Sequence, residues 1–437
     1  MPVFFTKEIK DKNEKYTDLD GAGIIYPYVA NKDWNSVYRV EARLKTTVDF
    51  TKLEDAVKIM RNKYPYFFSR ISTHGKKYVL KRAYCGNIIY KSAPICKPFD
   101  IKNDETLLRV VYTERTIGVE FFHGLTDGHG AQCFFNELLK EYFNIAFSKS
   151  GYDSSLAADL PINQSLLDTK DIYNDIYNLG GKEISRFLSK AYQFDNKGEA
   201  QYAAKSIAVS SSLLKLAAHR HNASITEYLC AVQIATIFKT QKVNSKPVRI
   251  SVPVDIRKFF EFTSARNASL YFLVEIKPND IGNFDSLIKS VKKQFEQALN
   301  KENMQNLAYS NVKCAKMKAY NLLPIPLKKI ALNIGYTTFG ENQFTSTITN
   351  LGVVRLDSRA ENVVSSVYYM LGKEKTKPLN LAVTTYDNET RILVSSTIDS
   401  TKFVHTMCEI LLADGIVSTV TSPTEPIKFN KSIDKVS

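Results

Sequence analysis

Apolar and polar positions alternate with a period of two along Val37–Val48, Tyr66–Ile71, Lys77–Tyr84, Leu107–Thr113 and Thr116–Phe122. Such alternation marks strands with one buried face. Between the first two, Leu53, Ala56, Val57 and Met60 recur at helical spacing and predict a helix over Thr51–Lys63. His74-Gly75 reads as a turn between paired strands. Thr116–Phe122 runs into His123-Gly124-Leu125-Thr126-Asp127-Gly128, after which the period changes again. Phe134, Phe135, Leu138, Leu139, Tyr142 and Ala146 share one face of a helix that reaches about Ser148. His123 is therefore expected at a strand end, on a tight loop that opens a helix. Gly124, Gly128 and Gly130 would let that backbone turn sharply and approach a ligand. Residues 1–35 are polar and aperiodic. Gly21-Ala22-Gly23 lacks a third glycine and a preceding strand, so it is not read as a nucleotide loop.

From residue 149 to about 200 the chain is rich in Ser, Asp, Asn and Tyr, holds Pro161 and Gly180-Gly181, and shows only short helical patches. It reads as the crossing between two domains. Regular patterns resume with a strand at Ala203–Ser210. Ser224-Ile225-Thr226-Glu227 is a capping box that opens a largely buried helix to about Thr240. Strands are expected at Pro247–Val254 and Ser269–Ile276, and a helix at Asp285–Ala298. Residues 302–320 are helical in composition, and Pro324 and Pro326 are expected to stop them. Phe344–Gly352 reads as a strand ending at Asn350. A hairpin spans Leu379–Tyr386 and Arg391–Ile398, a closing helix Thr401–Ala413, and the chain is expected to fray from Ser422. The division expected is an N-terminal subdomain 1–180, a crossing segment 181–199 and a C-terminal subdomain 200–437, because 437 residues exceed one ordinary core.

Composition narrows the class. A hydrophobic fraction of 44% with 24% charged residues is that of a soluble globular chain. The formal net charge of +14 suits an anionic partner, but the Lys and Arg are scattered, so no nucleic-acid stripe is read from them. Cys85, Cys96, Cys133, Cys230, Cys314 and Cys408 form no C-x-x-C pair, and read as reduced thiols of a cytoplasmic protein. The start of the chain becomes charged too soon for a signal peptide. No apolar run approaches the ~20 residues of a membrane span. His219 and His221, two apart, do not share a helix face and are read as surface residues; no metal constellation is found. The sequons at Asn163, Asn222, Asn267 and Asn388 carry no weight.

The candidate chemistry centres on His123. A neutral imidazole can accept a proton near pH 7, which makes general base its commonest catalytic role. Asp127 could orient His123, or it could point away and anchor the loop to a cation. The bland alternative is that His123 ends a strand and Asp127 caps a helix.

His-x-x-x-Asp-Gly between a hydrophobic strand and an amphipathic helix resembles the signature of the chloramphenicol-acetyltransferase-like acyltransferases. That superfamily includes alcohol acetyltransferases and the condensation domains of peptide synthetases. Pro253-Val254-Asp255-Ile256-Arg257 is similar to a second element of it. So is the Ser/Thr-Asn-x-Gly of Thr349-Asn350-Leu351-Gly352, on a strand that crosses toward the first domain. The resemblance implies an α/β fold of two similar subdomains, each a mixed β-sheet flanked by helices, with an active-site tunnel between them. It implies His123 as general base, and Asp127 in a salt bridge with Arg257 that supports the motif together with Gly128. Thr347, Thr349 and Asn350 become candidate donors to the reacting carbonyl or its oxyanion.

The function implied is acyl transfer, most simply of an acetyl group, from a CoA thioester to a small alcohol or amine acceptor. Acetyl-CoA or another acyl-CoA would be a co-substrate, with no bound cofactor and a monomer sufficient for the site. Condensation domains usually carry two adjacent His at the start of the motif, and Phe122 holds the first place here. That favours a free thioester over the acidic acyl carrier protein that a condensation-type enzyme would use. A catalytically silent scaffold of the same fold is the third reading.

Overall fold

A computed structural model describes residues 16–31, 34, 36–83, 86–103, 105–148, 163–184, 189–195, 202–317, 321–374 and 376–423. Three sheets are present among them. A five-stranded sheet runs in the order Val364–Leu371, Val37–Leu44, Thr116–Phe122, Leu108–Tyr112, Ile89–Lys91. A seven-stranded sheet runs Ser269–Ile276, Val248–Asp255, Ser346–Val353, Leu379–Tyr386, Glu389–Ser396, Ala203–Ser210, Ser418–Thr421. A small third sheet joins Tyr16–Asp18 to the hairpin of Ser69–His74 and Lys77–Arg82. The two large sheets are mixed: Ser346–Val353 runs parallel to both its neighbours, and Ile89–Lys91 runs parallel to Leu108–Tyr112. The expected α/β architecture is thus present.

The strand that delivers His123 is buried at all seven positions. Ile117, Val119 and Phe121 face the main core, where Phe121 meets Phe134 of the following helix at 5.7 Å. On the opposite face Glu120, fully buried, is held by Arg39 at 2.9 Å and by Arg109. A buried carboxylate between two guanidiniums is the arrangement under which such a charge persists away from water. The strand is clamped on both sides, and its end is fixed. The helix Gly128–Phe147 packs on Phe50–Lys63, which Asp49 caps by accepting from the Thr51 and Lys52 N–H groups. In the second half the Ser224 capping box is formed and opens the helix Ile225–Thr240, buried against the seven-stranded sheet.

Five expectations need correction. The linear division of the chain is crossed: Val364–Leu371, which lacks a distinct pattern among its neighbours, leaves the second half and pairs antiparallel with Val37–Leu44, and Ile172–Asn178 packs on Lys301–Lys316. Ser346–Val353 is not the crossing strand. It stays in the seven-stranded sheet between Val248–Asp255 and Leu379–Tyr386. Pro324 and Pro326 do not only stop a helix. Lys301–Lys316 ends before them, and a further helix, Ile325–Phe339, begins with Pro326 in its first turn, where a missing N–H costs nothing. Residues 16–31 are ordered rather than irregular, with the strand Tyr16–Asp18 and the helix Tyr26–Val29. His221 is also more than a surface residue. Its ring reaches Asp285 at 2.9 Å and Asp414 at 3.1 Å, tying together the ends of three helices. Residues 149–162, 185–188 and 196–199, which include Pro161 and much of the expected crossing, lie outside the described residues. So does the end of the chain from residue 424.

Candidate active site

His123 stands one residue beyond its strand, and its N–H donates to the Ser36 carbonyl at 2.9 Å. The loop behind it is tied to its surroundings by three hydroxyls. Tyr66 donates to the Leu125 carbonyl at 2.8 Å, Tyr38 to the Thr126 carbonyl at 2.9 Å, and Thr126 to the Ala265 carbonyl at 2.6 Å. None of Gly124, Gly128 and Gly130 has a positive φ, so conformational freedom is not what glycine supplies here. Closeness is. A Cβ on Gly130 would run into the Thr126 hydroxyl and the Ala265 carbonyl, and one on Gly128 would lie 2.8 Å from Leu351.

Asp127 settles the alternatives left open by spacing. Its Oδ1 accepts from the Gly130 N–H at 3.0 Å, so it does cap the helix. Its Oδ2 accepts from the Ala268 N–H at 2.7 Å. Arg257 donates to both oxygens, at 2.9 and 3.2 Å. The carboxylate makes no bond to His123; it anchors the motif loop to the other half of the molecule. Burial pushes the Asp127 carboxyl up, but the Arg257 guanidinium and the two N–H donors outweigh it and hold the group below the ordinary carboxylate range. Arg257 is itself buried and further held by the Ser264 and Arg266 carbonyls and by Asp255.

The orienting partner of His123 is one the sequence reading missed. Nδ1 lies 3.1 Å from Oδ1 of Asn267. The Asn267 amide nitrogen faces the Asp20 carboxylate at 3.1 and 3.3 Å, and the Asn267 N–H also donates to it. The carboxylate can only accept, so it fixes which end of the amide is nitrogen. Oδ1 is then left facing the imidazole. It too can only accept, so the proton of the neutral ring sits on Nδ1 and the lone pair on Nε2. Asp20 and Asn267 are 0% and 1% exposed, so water does not compete for this relay. Asp20 lies just before Gly21-Ala22-Gly23, and that stretch is a turn wrapped on its carboxylate: the Ala22 and Gly23 N–H groups both donate to Oδ1. The legible signal was an Asp opening a glycine turn.

Aromatic rings enclose the imidazole. Tyr26 stacks on it at 4.8 Å and 20°, and Tyr38 meets it edge-on at 5.3 Å. Burial pushes the Tyr26, Tyr38 and Tyr369 phenols well above their ordinary range, so all three stay neutral.

The proposed donors divide by face. Ser346 and Ile348 point toward the helix Ile225–Thr240, Ser346 through a bond from Gln233 at 2.8 Å. Asn350 follows them: its amide donates to Thr226 at 3.0 Å and its carbonyl accepts from the Gly352 N–H at 2.8 Å. Thr347 and Thr349, one residue out of phase, lie on the opposite face, which Ser251, opposite Thr347 in register, continues. Asn350 is thus turned away from the face that holds the threonines, and serves the strand end and helix start instead. Among the described residues there is no group of His, Cys, Asp and Glu that could hold a metal ion.

No protein-family model matches this sequence, and no curated protein matches it. The fold, however, is found in solved structures. The trichothecene 15-O-acetyltransferase TRI3 of Fusarium sporotrichioides superposes with a TM-score of 0.59 at 11% identity, over 94% of this chain and 100% of that one. F. sporotrichioides TRI101, complexed with coenzyme A and T-2, gives a TM-score of 0.65 at 10% identity, over 92% and 99%. The starter condensation domain of rhizomide synthetase, in complex with C8-CoA and Leu-SNAC, gives 0.56 at 11% identity, over 94% and 97%. The chain therefore has the two-sheet fold shared by such acetyltransferases and condensation domains, as the motif resemblance implied.

Proposed function

We propose that this chain is an acyltransferase that moves an acyl group, most simply acetyl, from a CoA thioester to a hydroxyl or amine acceptor, with His123 as general base. One observation carries the reading: Nδ1 of His123 is anchored through Asn267 to a buried carboxylate, which leaves the lone pair of Nε2 for a substrate proton. Nε2 takes the acceptor's proton as its oxygen attacks the thioester carbonyl. The carbon–oxygen bond forms, the carbonyl electrons move to oxygen, and a tetrahedral oxyanion results. Its collapse breaks the carbon–sulfur bond, and Nε2–H returns the proton to the thiolate. Base catalysis of this kind contributes about 10²–10⁴-fold. Thr347 and Thr349 are the side chains we assign to the oxyanion. Asp127 and Arg257 carry no proton; they hold the loop from which His123 projects.

TRI101 binds coenzyme A and the rhizomide domain binds an acyl-CoA, which supports a CoA-linked donor for a chain of the same fold. The condensation-type alternative replaces CoA with a carrier-bound thioester and is otherwise the same chemistry. The deciding experiment measures CoA release from acetyl-CoA and longer acyl-CoAs over a panel of alcohols and amines, with wild type and His123→Ala at equal folded concentration. Release that needs both an acceptor and His123 supports the proposal. Equal inertness of the two proteins toward every free thioester, followed by turnover of a carrier-bound donor, would move the assignment to the condensation type. Inertness toward both donors would leave a silent scaffold.

A further inference from the structure

The helix Ile325–Phe339 carries apolar side chains on its outward side as well as its inward one. A surface helix normally turns its apolar stripe to the core. Here two polar side chains point inward beside the half-buried Leu332 and Tyr336: Lys328, 2% exposed, donates to the Lys76 carbonyl at 2.7 Å, and Asn333 donates to the Tyr28 carbonyl at 3.1 Å. The outward side chains are aliphatic. Leu327, Ile330 and Ile334, spaced three and four apart, are 50%, 59% and 63% exposed, and Leu322 in the preceding turn is 69% exposed. Leu327, Ile330 and Ile334 form one stripe along a helix that fifteen residues make about 22 Å long, and Leu322 lies just before its start. Single exposed aliphatics are ordinary, but a contiguous stripe of them marks a surface with a partner.

The rim identifies the partner's charge. Lys76 donates to the Leu322 carbonyl at 3.0 Å, which places its ammonium beside the most exposed of the four. Lys329 lies over the Tyr78 ring at 5.6 Å, and Lys328 lies beneath. Burial and the charges of Lys76 and Lys77 together push Lys328 below the ordinary lysine range. Lys77 is paired with Asp18, whereas Lys76 and Lys329 form no ion pair among the described residues. A second copy of the chain, docked through a two-fold axis, would set these lysines against themselves. An aliphatic stripe edged with lysines fits instead the boundary between lipid headgroups and acyl chains, where apolar side chains sink in and ammoniums meet phosphates.

We propose that Leu322, Leu327, Ile330 and Ile334 dock this protein on an anionic membrane surface, with Lys76 and Lys329 at the phosphate level. The inward side of the same helix holds Tyr26–Val29, and Tyr26 stacks on His123. A docked molecule therefore keeps His123 one short helix away from the lipid. The docking does not depend on the acyl-transfer reading, and its test reads no activity.

The test is co-sedimentation of the full chain with vesicles of phosphatidylcholine, with and without phosphatidylglycerol. Wild type should pellet with the anionic vesicles and remain in solution with the neutral ones. Ile330→Ser/Ile334→Ser should lose binding at least tenfold, and Lys76→Glu/Lys329→Glu on the order of fivefold or more per lysine. All four positions are at the surface, and unchanged melting curves would show the variants folded. Wild type that ignores anionic vesicles overturns the proposal, as does an Ile330→Ser/Ile334→Ser variant that binds them as wild type does. A wild-type dimer made monomeric by the same two substitutions would assign the stripe to a second copy, and an acidic protein captured through it, with no vesicle binding, would assign it to that protein.

Discussion

Oδ1 of Asn267 faces Nδ1 of His123 at 3.1 Å, across the boundary between the two halves of the molecule. One residue thus gives the imidazole both its tautomer and its aim. Removing it should affect the chemical step more than binding. In Asn267→Ala the ring can hold its proton on either nitrogen, so only part of the population presents a lone pair from Nε2. Locking a catalytic histidine in the wrong tautomer costs about 10⁴-fold, and a free choice should cost less, about 10–100-fold in kcat with KM little changed. Steady-state kinetics with acyl-CoA, read beside the melting curve, checks this. A fall in stability alone would make Asn267 structural.

The Asp127–Arg257 pair should behave as one unit. Both side chains are buried, and each meets the other's charge with two hydrogen bonds. Arg257→Met leaves a carboxylate in the interior with only the Gly130 and Ala268 N–H groups, and should cost about 3–5 kcal/mol. Asp127→Asn leaves the guanidinium paired with Asp255 and held by the Ser264 and Arg266 carbonyls, and should cost less. The double variant Asp127→Asn/Arg257→Met should lose less than the sum of the two, because neither leaves a lone charge. Urea unfolding of the four proteins closes the cycle.

Acid should expose the same pair. Folding holds the Asp127 carboxyl below its unfolded value, so the folded chain binds that proton less readily than the unfolded one. Its contribution is present above the ordinary carboxylate range and is lost as pH falls through that range toward the lower folded value. Stability of wild type should drop over that window. Asp127→Asn, already destabilised at neutral pH, should show a shallower drop, and urea midpoints from neutral to acid pH would measure the difference.

Sequence pattern and structure agree where a residue's role is set by its near neighbours. The strand before His123, the helix after Asp127 and the capping box at Ser224 each follow from a local period or a three-residue offset. The motif supplied His123 and Asp127, and the Arg257 match pointed to an ion pair that the coordinates contain. What was not legible depends on long-range placement. Asp20 and Asn267 are 247 positions apart, and no periodicity links them. Val364–Leu371 has no distinct pattern of its own; only pairing with Val37–Leu44 makes it a strand of the first sheet. Pro326 was ambiguous for a different reason, since proline ends one helix and begins the next with equal ease.

The threonine face of Ser346–Val353 makes the last prediction. Period-two alternation separates Thr347 and Thr349 from Ser346, Ile348 and Asn350, and the second group is committed to the helix Ile225–Thr240 and its start. If a side chain of this strand donates to the oxyanion, it belongs to the first group. Thr349→Val keeps the shape and removes the hydroxyl, and a lost oxyanion donor costs about 10²–10³-fold in kcat. Thr347→Val tests the neighbouring position on the same face. Asn350→Ala should leave kcat within a few-fold while lowering stability by about 1–2 kcal/mol, through the bonds it makes to Thr226 and to the Gly352 N–H. The opposite pattern, with kcat lost in Asn350→Ala and kept in both valine variants, would mean that the strand turns over when substrate binds. The assignment of faces on this strand would then have to be reversed.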